Sequence, residues 1–225
     1  MFDAIAGRYD LLNAVLSAGC DRYWRRKAIA ALGFSGREVM LDVCTGTGDV
    51  AMTALRARRG ARAVLGLDFA GAMLTRAADK ARTARLANRA EFVQADAMCL
   101  PIADASVDGV TMAFGIRNVE QPSMACAELV RVLRPGGRCA ILEFGLPSAP
   151  VVRSLYLWYF KQILPRLGRA VSGHPAAYSY LPASVGSFPW GESFARVLRD
   201  AGFNNVRTQP LTFGVVYLYT GQKRA

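Results

Sequence analysis

The chain is expected to adopt an α/β fold: a mostly parallel seven-stranded sheet, closed by a C-terminal antiparallel strand pair, with helices on both faces. Three observations lead there. Five short β-rich runs alternate with helical stretches from residue 39 onward, as βαβ units do. Two more β-rich runs end the chain with only Thr212 between them, too little for a helical crossover, so they should pair antiparallel. A glycine-rich turn, LDVCTGTGD (41–49), joins the first run directly to a helix.

Taken in order, residues 1–33 read as two short helices ending at Gly33, with Leu12, Val15, Leu16, Trp24 and Ala28 as apolar positions. The β-rich runs are VMLDV (39–43), AVLGLD (63–68), EFVQ (91–94), VDGVTMAF (107–114) and RCAILEF (138–144). Cys126, Leu129, Val130 and Leu133 repeat at i, i+3, i+4, i+7 between Pro122 and the stop signal Pro135-Gly136-Gly137, predicting a helix. VVRSLYLWYFKQIL and a Pro/Gly/Ser/Tyr-rich loop interrupt the alternation before VRTQPL (206–211) and FGVVYLYTG (213–221) close it. A chain of 225 residues with 52% apolar side chains suits one domain, residues 1–225, and excludes a disordered one. Within it, 1–35 is expected to form an N-terminal helical cap and 148–190 a substrate-side insertion.

The 28 Lys+Arg against 17 Asp+Glu give a net charge of +11, which suits anionic partners such as nucleic acid or a membrane surface. Only four of those cations are lysine, a skew that reflects codon usage as readily as a binding face. The five cysteines, an odd number without metal-knuckle spacing, suggest a reduced compartment and no metal. Asp3, Arg8 and Asp10 stand where a signal peptide would be apolar, and no run of 18 apolar residues occurs. A cytoplasmic protein is the expectation.

Gly46 and Gly48 let the backbone turn tightly and aim N–H groups at a helix N-terminus, a ready anion site. Asp68 ends the next strand, where a carboxylate can accept both hydroxyls of a ribose. Gly46-x-Gly48-x-x-Ala51 alone also permits NAD. Three features favour S-adenosylmethionine instead. Asp42 would repel a pyrophosphate but attract an ammonium. Asp96-Ala97 follows the third strand, where a carboxylate and an N–H can meet an adenine edge. The chain also ends on a strand pair rather than a second domain for a hydride acceptor. LDVCTGTGD, GLDFAGAML, QADAMCLPIADASVDGVTMAF and RVLRPGGRCAILEF together resemble the successive motifs of Rossmann-like class I S-adenosylmethionine-dependent methyltransferases.

In that fold the end of the fourth strand faces the methyl acceptor. Here it reads AFGIRN (113–118), without the Asn/Asp-Pro-Pro-aromatic grip of amino-methyltransferases. Cys99 precedes Leu100-Pro101, unlike the nucleophilic thiol of pyrimidine C5-methyltransferases, so no nucleic-acid partner is expected. AFGIRN with FDAIAGRYDLLNAVLSAGCDRYWRR, SYLPASV, DAGF and LTFGVVYLYTGQK is similar to the menaquinone/ubiquinone biosynthesis C-methyltransferases, from about residue 2 to the C-terminus. The resemblance implies C-methylation of a polyprenylated quinol, with demethylmenaquinol first, toward which Cys44 leans. It implies cofactor contacts at Thr47, Asp68 and Asp96-Ala97, and one hydrogen bond fewer at Ala113, where some members carry serine. Phe69, beside Asp68, completes a cofactor set that also holds Asp42, Gly46 and Gly48.

Two candidates carry the chemistry. Arg117 follows the fourth strand and stays cationic, so it can stabilise a quinolate; a salt bridge holding the loop is the alternative. Tyr9 lies in the cap that should cover the sulfonium, with ordinary cap packing as its alternative. His174, the only histidine, sits in VSGHPAAYSYL (171–181), the least family-like loop. The stretch Val151–Leu164 is apolar nearly all round: either a buried helix or, with Tyr156, Trp158, Tyr159 and Phe160, a groove for a polyprenyl tail. Arg22, Arg25, Arg26, Lys27, Arg153 and Lys161 flank these parts, which suggests contact with the anionic inner face of the membrane. The rival readings are a methyltransferase of another small aromatic or lipid acceptor, a basic nucleic-acid-binding module and an NAD dehydrogenase.

Overall fold

The computed structural model describes residues 17, 19–159, 162, 184–186 and 188–225. Tyr9, Asp10, His174 and Phe160 lie outside them. Helix α1 (Cys20–Leu32) stops where Gly33 takes a left-handed conformation, as predicted. Strand β1 (Val39–Val43), helix α2 (Asp49–Arg56), strand β2 (Ala63–Asp68), helix α3 (Gly71–Thr83) and strand β3 (Ala90–Gln94) follow in βαβ alternation. Strand β4 (Val107–Ala113), helix α4 (Pro122–Val132) and strand β5 (Leu133–Phe144) continue it. Helix α5 (Pro150–Trp158) and helix α6 (Glu192–Asp200) precede β6 (Phe203–Leu211) and β7 (Val216–Lys223).

The seven strands form one sheet in the order β3-β2-β1-β4-β5-β7-β6. β1 through β5 pair parallel, while β7 runs antiparallel to both β5 and β6, so the final pair is antiparallel as the short connection required. Side chains alternate across each strand. Leu41, Val43 and Ile141 therefore join one buried layer with Leu129 of α4 and Phe194 of α6. Met40 and Leu142 join the other, with Trp24 and Leu32 of α1 and Leu55 of α2. Each fully buried leucine contributes roughly 1.5–3 kcal/mol over its exposed state, so both layers are needed.

Several boundaries differ from expectation: β6 begins at Phe203 rather than Val206, and the shifts at β5 and β7 have identifiable reasons. β5 begins at Leu133 rather than Arg138, because Pro135-Gly136-Gly137 is absorbed as a bulge between the Val107–Leu133 and Gly109–Arg138 pairs. This also ends α4 at Val132 and gives Leu133 to the strand. β7 begins at Val216 rather than Phe213, because Thr212–Gly214 forms a tight 3-10 turn. Thr212 and Phe213 are both left-handed there, at φ 47° and 59°.

Candidate active site

The strand order reverses between β1 and β4, and the crevice above such a switch point is where open α/β sheets bind ligands. The loop after β1 opens that crevice. Gly46 and Gly48 sit at φ 56° and 79°, left-handed values that a side chain would strain. Gly48 also lets α2 approach α3, since a Cβ there would stand 3.0 Å from the Ala77 Cβ. Asp68 clamps the loop from the end of β2. Its two oxygens accept from the N–H groups of Gly46 at 2.8 Å and Ala70 at 2.9 Å.

A cleft of about 410 Å³ lies over these strand ends. Its walls include Gly46, Asp68, Phe69, Asp96, Ala97 and Ala113, six of the nine cofactor residues expected from the sequence. Phe69 offers a ring that is 76% exposed. Asp96 accepts from the Met98 N–H at 2.8 Å, which fixes its carboxylate at the tip of β3.

The other three lie behind the wall. Gly48 caps α2. Thr47 is buried, its hydroxyl accepting from Lys80 Nζ at 3.1 Å. Lys80 also holds Asp49 at 2.6 Å, and Arg25 of α1 pairs with both Asp49 and Asp21, tying the first helix to the glycine loop. Asp42 is buried, accepting hydroxyl protons from Thr45 and Thr111 at 2.6 Å each. Burial pushes its carboxyl up to about 6 against those two hydrogen bonds, and the charge of Asp68 adds to the rise.

The residues in the cleft fit S-adenosylmethionine. Asp68 would offer a carboxylate to ribose hydroxyls, Asp96 an acceptor to an exocyclic amine, and Phe69 an open face to a base, beside backbone N–H groups at a helix start. Bound there, S-adenosylmethionine supplies an electrophilic sulfonium methyl group.

Beyond Ala113 the cleft wall continues through Phe114, Gly115, Asn118, Val119 and Glu120. Cys44 at φ 55° and Phe114 at φ 59° are non-glycine residues held left-handed at the ends of the adjacent strands β1 and β4. Strain of this kind costs on the order of 1–3 kcal/mol per residue and clusters at working sites. Burial, with the charges of Asp68, Asp42, Glu143 and Asp96 around it, pushes the Cys44 thiol well up, so no thiolate nucleophile forms there.

Arg117 stands next to this wall in the short turn after β4. Its Nη1 donates to Glu143 Oε1 and to the Phe114 carbonyl, both at 2.7 Å, and its guanidinium carbon lies 5.3 Å from the Phe144 ring centre. The ion pair that the sequence offered as the alternative is therefore present. Phe114, Phe144 and Trp24 pack as an aromatic cluster, with Trp24 Nε1 donating to Thr212 Oγ1 at 2.8 Å. Sequence reasoning missed Glu143 and Phe114. A lone glutamate inside the apolar run AILEF was the available signal, because such a carboxylate needs a buried partner. Nothing in the pattern of AFGIRN announced a left-handed phenylalanine.

Comparison with known proteins bears on the fold and the family. A demethylmenaquinone methyltransferase of Deinococcus radiodurans is 48% identical over all of this chain and 91% of its own length. A demethylmenaquinone methyltransferase of Thermus thermophilus is 44% identical over 99% of this chain and 100% of its own. The ubiquinone/menaquinone biosynthesis C-methyltransferase UbiE of Geotalea daltonii is 42% identical over 99% and 94%. Among solved structures, a SAM-dependent methyltransferase from Aquifex aeolicus superposes with a TM-score of 0.62 at 21% identity, covering 88% of each chain. The [4+2]-cyclase SpnF reaches 0.69 at 19% identity over 91% of this chain and 81% of its own. Likeness at that identity shows the fold. The family profile described as the ubiE/COQ5 methyltransferase family matches residues 1–223, and the chain belongs to that family.

Proposed function

We propose that this protein methylates a ring carbon of a polyprenylated quinol, with demethylmenaquinol as the acceptor, in menaquinone or ubiquinone biosynthesis. One observation carries the reading: the cleft that holds the cofactor residues runs on without a break to a wall beside the buried Arg117. Methyl transfer to carbon is mostly a matter of alignment, and the strained ends of β1 and β4 fix both walls of the cleft. A ring carbon becomes nucleophilic when the neighbouring hydroxyl ionises, and a permanent cation near that oxygen favours the ionised form. Arg117 supplies that cation; an arginine is a poor proton acceptor, so the hydroxyl and ring protons leave to water. Tyr9, the other catalytic candidate of the sequence, lies outside the described residues. Conversion of demethylmenaquinol under reducing conditions by the purified protein tests it, and no conversion of either quinol class by protein that binds S-adenosylmethionine overturns it.

The polyprenyl tail is proposed to lie along α5 at the membrane surface. Tyr156 packs inward with Val185, whereas Val151, Leu155 and Trp158, four and then three residues apart on one helix face, are 81%, 64% and 54% exposed. Among the described residues no helix is long and apolar enough to cross a membrane. The supporting result is vesicle binding that strengthens with anionic lipid and weakens in Leu155→Ser/Trp158→Ser. Binding indifferent to lipid charge and to both substitutions removes the membrane proposal.

A further inference from the structure

We infer that Glu143 is the positioning residue of the acceptor side: it grips one edge of the Arg117 guanidinium so that the Nε–H remains as the donor for the acceptor's oxygen. The inference rests on the proposed quinol chemistry and assigns a residue that acts through Arg117.

Three observations carry it. The pair is deeply buried, with side-chain exposures of 8% for Arg117 and 0% for Glu143. Glu143 is itself held rigidly: Oε1 accepts from the Phe144 N–H at 2.8 Å as well as from Nη1, and Oε2 accepts from the Arg117 N–H at 3.3 Å. The end of β5 is thereby bolted to the turn after β4. Third, Arg117 Nε is buried and has no hydrogen-bond partner among the described residues. A buried N–H without a partner is uncommon and costs about 1–3 kcal/mol. An arginine serving only as a tie between two elements would spend that donor on one of them. Here Nη1 is used twice, once on the carbonyl of Phe114, which walls the cleft, and Nε is kept back.

The groups around the pair suit a quinol. Phe144 lies against the guanidinium, and burial pushes the Tyr156 phenol upward, with Arg117 and Glu143 both acting on it. The Cys44 thiol and the Tyr219 phenol, also within reach of Glu143, are likewise pushed up by burial and stay protonated. No competing anion besides Glu143 is identified at the guanidinium among the described residues. An acceptor oxygen that arrives as a hydroxyl and ionises to solvent therefore meets a cation whose second edge is already fixed.

The test compares wild type, Glu143→Gln, Arg117→Lys, Arg117→Ala and Arg117→Ala/Glu143→Gln. The first readout is the ionisation midpoint of bound α-naphthol, followed by the absorbance of its naphtholate with S-adenosylhomocysteine present. Wild type should lower that midpoint by about one unit or more. Glu143→Gln should return it to the free value, and Arg117→Lys, which keeps the charge without the Nε–H, should do the same. If Glu143 were only a counter-ion, removing it would unscreen the guanidinium and lower the midpoint further, which overturns the inference. In turnover, Glu143→Gln should reduce kcat at least about tenfold while S-adenosylmethionine affinity stays within about twofold. In the Arg117→Ala background it should reduce kcat no further, because it acts through the arginine. A change confined to the melting temperature, or Arg117→Lys matching wild type, also overturns it. Should Glu143→Gln fail to fold, the Arg117→Lys midpoint decides. The two readings fail separately: wild type that shifts α-naphthol but methylates no quinol refutes the proposed acceptor, whereas wild type that methylates the quinol with an indifferent Glu143→Gln refutes this inference.

Discussion

Asp42→Asn should make this protein more stable at neutral pH while leaving its shape intact. Asp42 is 1% exposed and its carboxyl rises from 3.8 to about 6, chiefly because burial penalises the charge. A group whose folded pKa is raised is fully accommodated only when protonated. Its contribution is therefore present below pH 3.8 and is lost as the pH climbs through about 6. At about 1.4 kcal/mol per unit, the loss reaches about 3 kcal/mol above pH 7. Asparagine has the same outline. Its Oδ1 accepts from one of the Thr45 and Thr111 hydroxyls while its Nδ2 donates to the other, so both threonines stay partnered, and the Ala51 N–H that also reaches this carboxylate is met only on the Oδ1 side. For a chain of 225 residues, about 3 kcal/mol corresponds to a rise of about 6–12 °C in melting temperature at pH 8. Thermal melts of both proteins from pH 4 to pH 8 supply the assay, with the gap expected to widen steadily toward pH 8. Equal midpoints at pH 8, or a less stable variant, would refute the reasoning. The same pair of proteins examines the ligand role. If Asp42 is the counter-ion of the cofactor's ammonium, the variant binds S-adenosylmethionine several-fold more weakly at pH 8. Unchanged affinity would confine Asp42 to holding the two threonines.

Phe69→Ala removes a ring that is 76% exposed, so the fold should be indifferent. The lost stacking on the adenine, about 1–3 kcal/mol, should weaken S-adenosylmethionine binding by roughly five- to hundredfold in calorimetry. Gly115→Ala places a methyl against the Cys44 Cβ and 2.8 Å from its Sγ, an overpacking of about 1–3 kcal/mol. Urea melts should show the loss, and Cys44→Ala, which removes the Sγ but keeps the Cβ, should restore only part of it. Asp49→Asn cuts α1 from the glycine loop. Burial pushes Asp49 up, but Arg25 and Lys80 outweigh it and hold it below the ordinary carboxylate range. Its stabilisation is thus present at neutral pH and lost as the pH falls through that lowered value, and the variant should be the less stable at pH 7, with the gap closing in acid.

Most of the fold was legible because its signals are local. β1 and β2 occupy the predicted residues without a shift, since VMLDV and AVLGLD are short apolar runs bounded by turn chemistry. Gly33 and Pro122 marked helix ends by their own backbone constraints. The errors fell where tertiary pairing overrides local composition: Leu133 obeys the helical period of α4, yet pairing with Val107 draws it into β5. Along the cleft, the places of Asp68, Phe69, Asp96, Ala97 and Ala113 were legible because strand ends have a fixed position in this topology, and that of Gly46 from its glycine turn. Which way a side chain turns from a strand end was not. Asp42 and Thr47 stand beside the cleft in sequence but spend their oxygens inward, on Thr45 and Thr111 and on Lys80. The pairing of Arg117 with Glu143, 26 residues away, needed the register of β4 on β5 before it could be seen.

The heart of the mechanism is methyl transfer to a ring carbon at the wall formed by Phe114 and Gly115, beside Arg117. Its most direct measurement is single-turnover transfer from methyl-labelled S-adenosylmethionine to demethylmenaquinol, kept reduced, with the product located by mass spectrometry. The account predicts one labelled methyl on the quinol ring, and a rate that collapses in Arg117→Ala while cofactor binding persists. Label on oxygen, or transfer undiminished without Arg117, would contradict it.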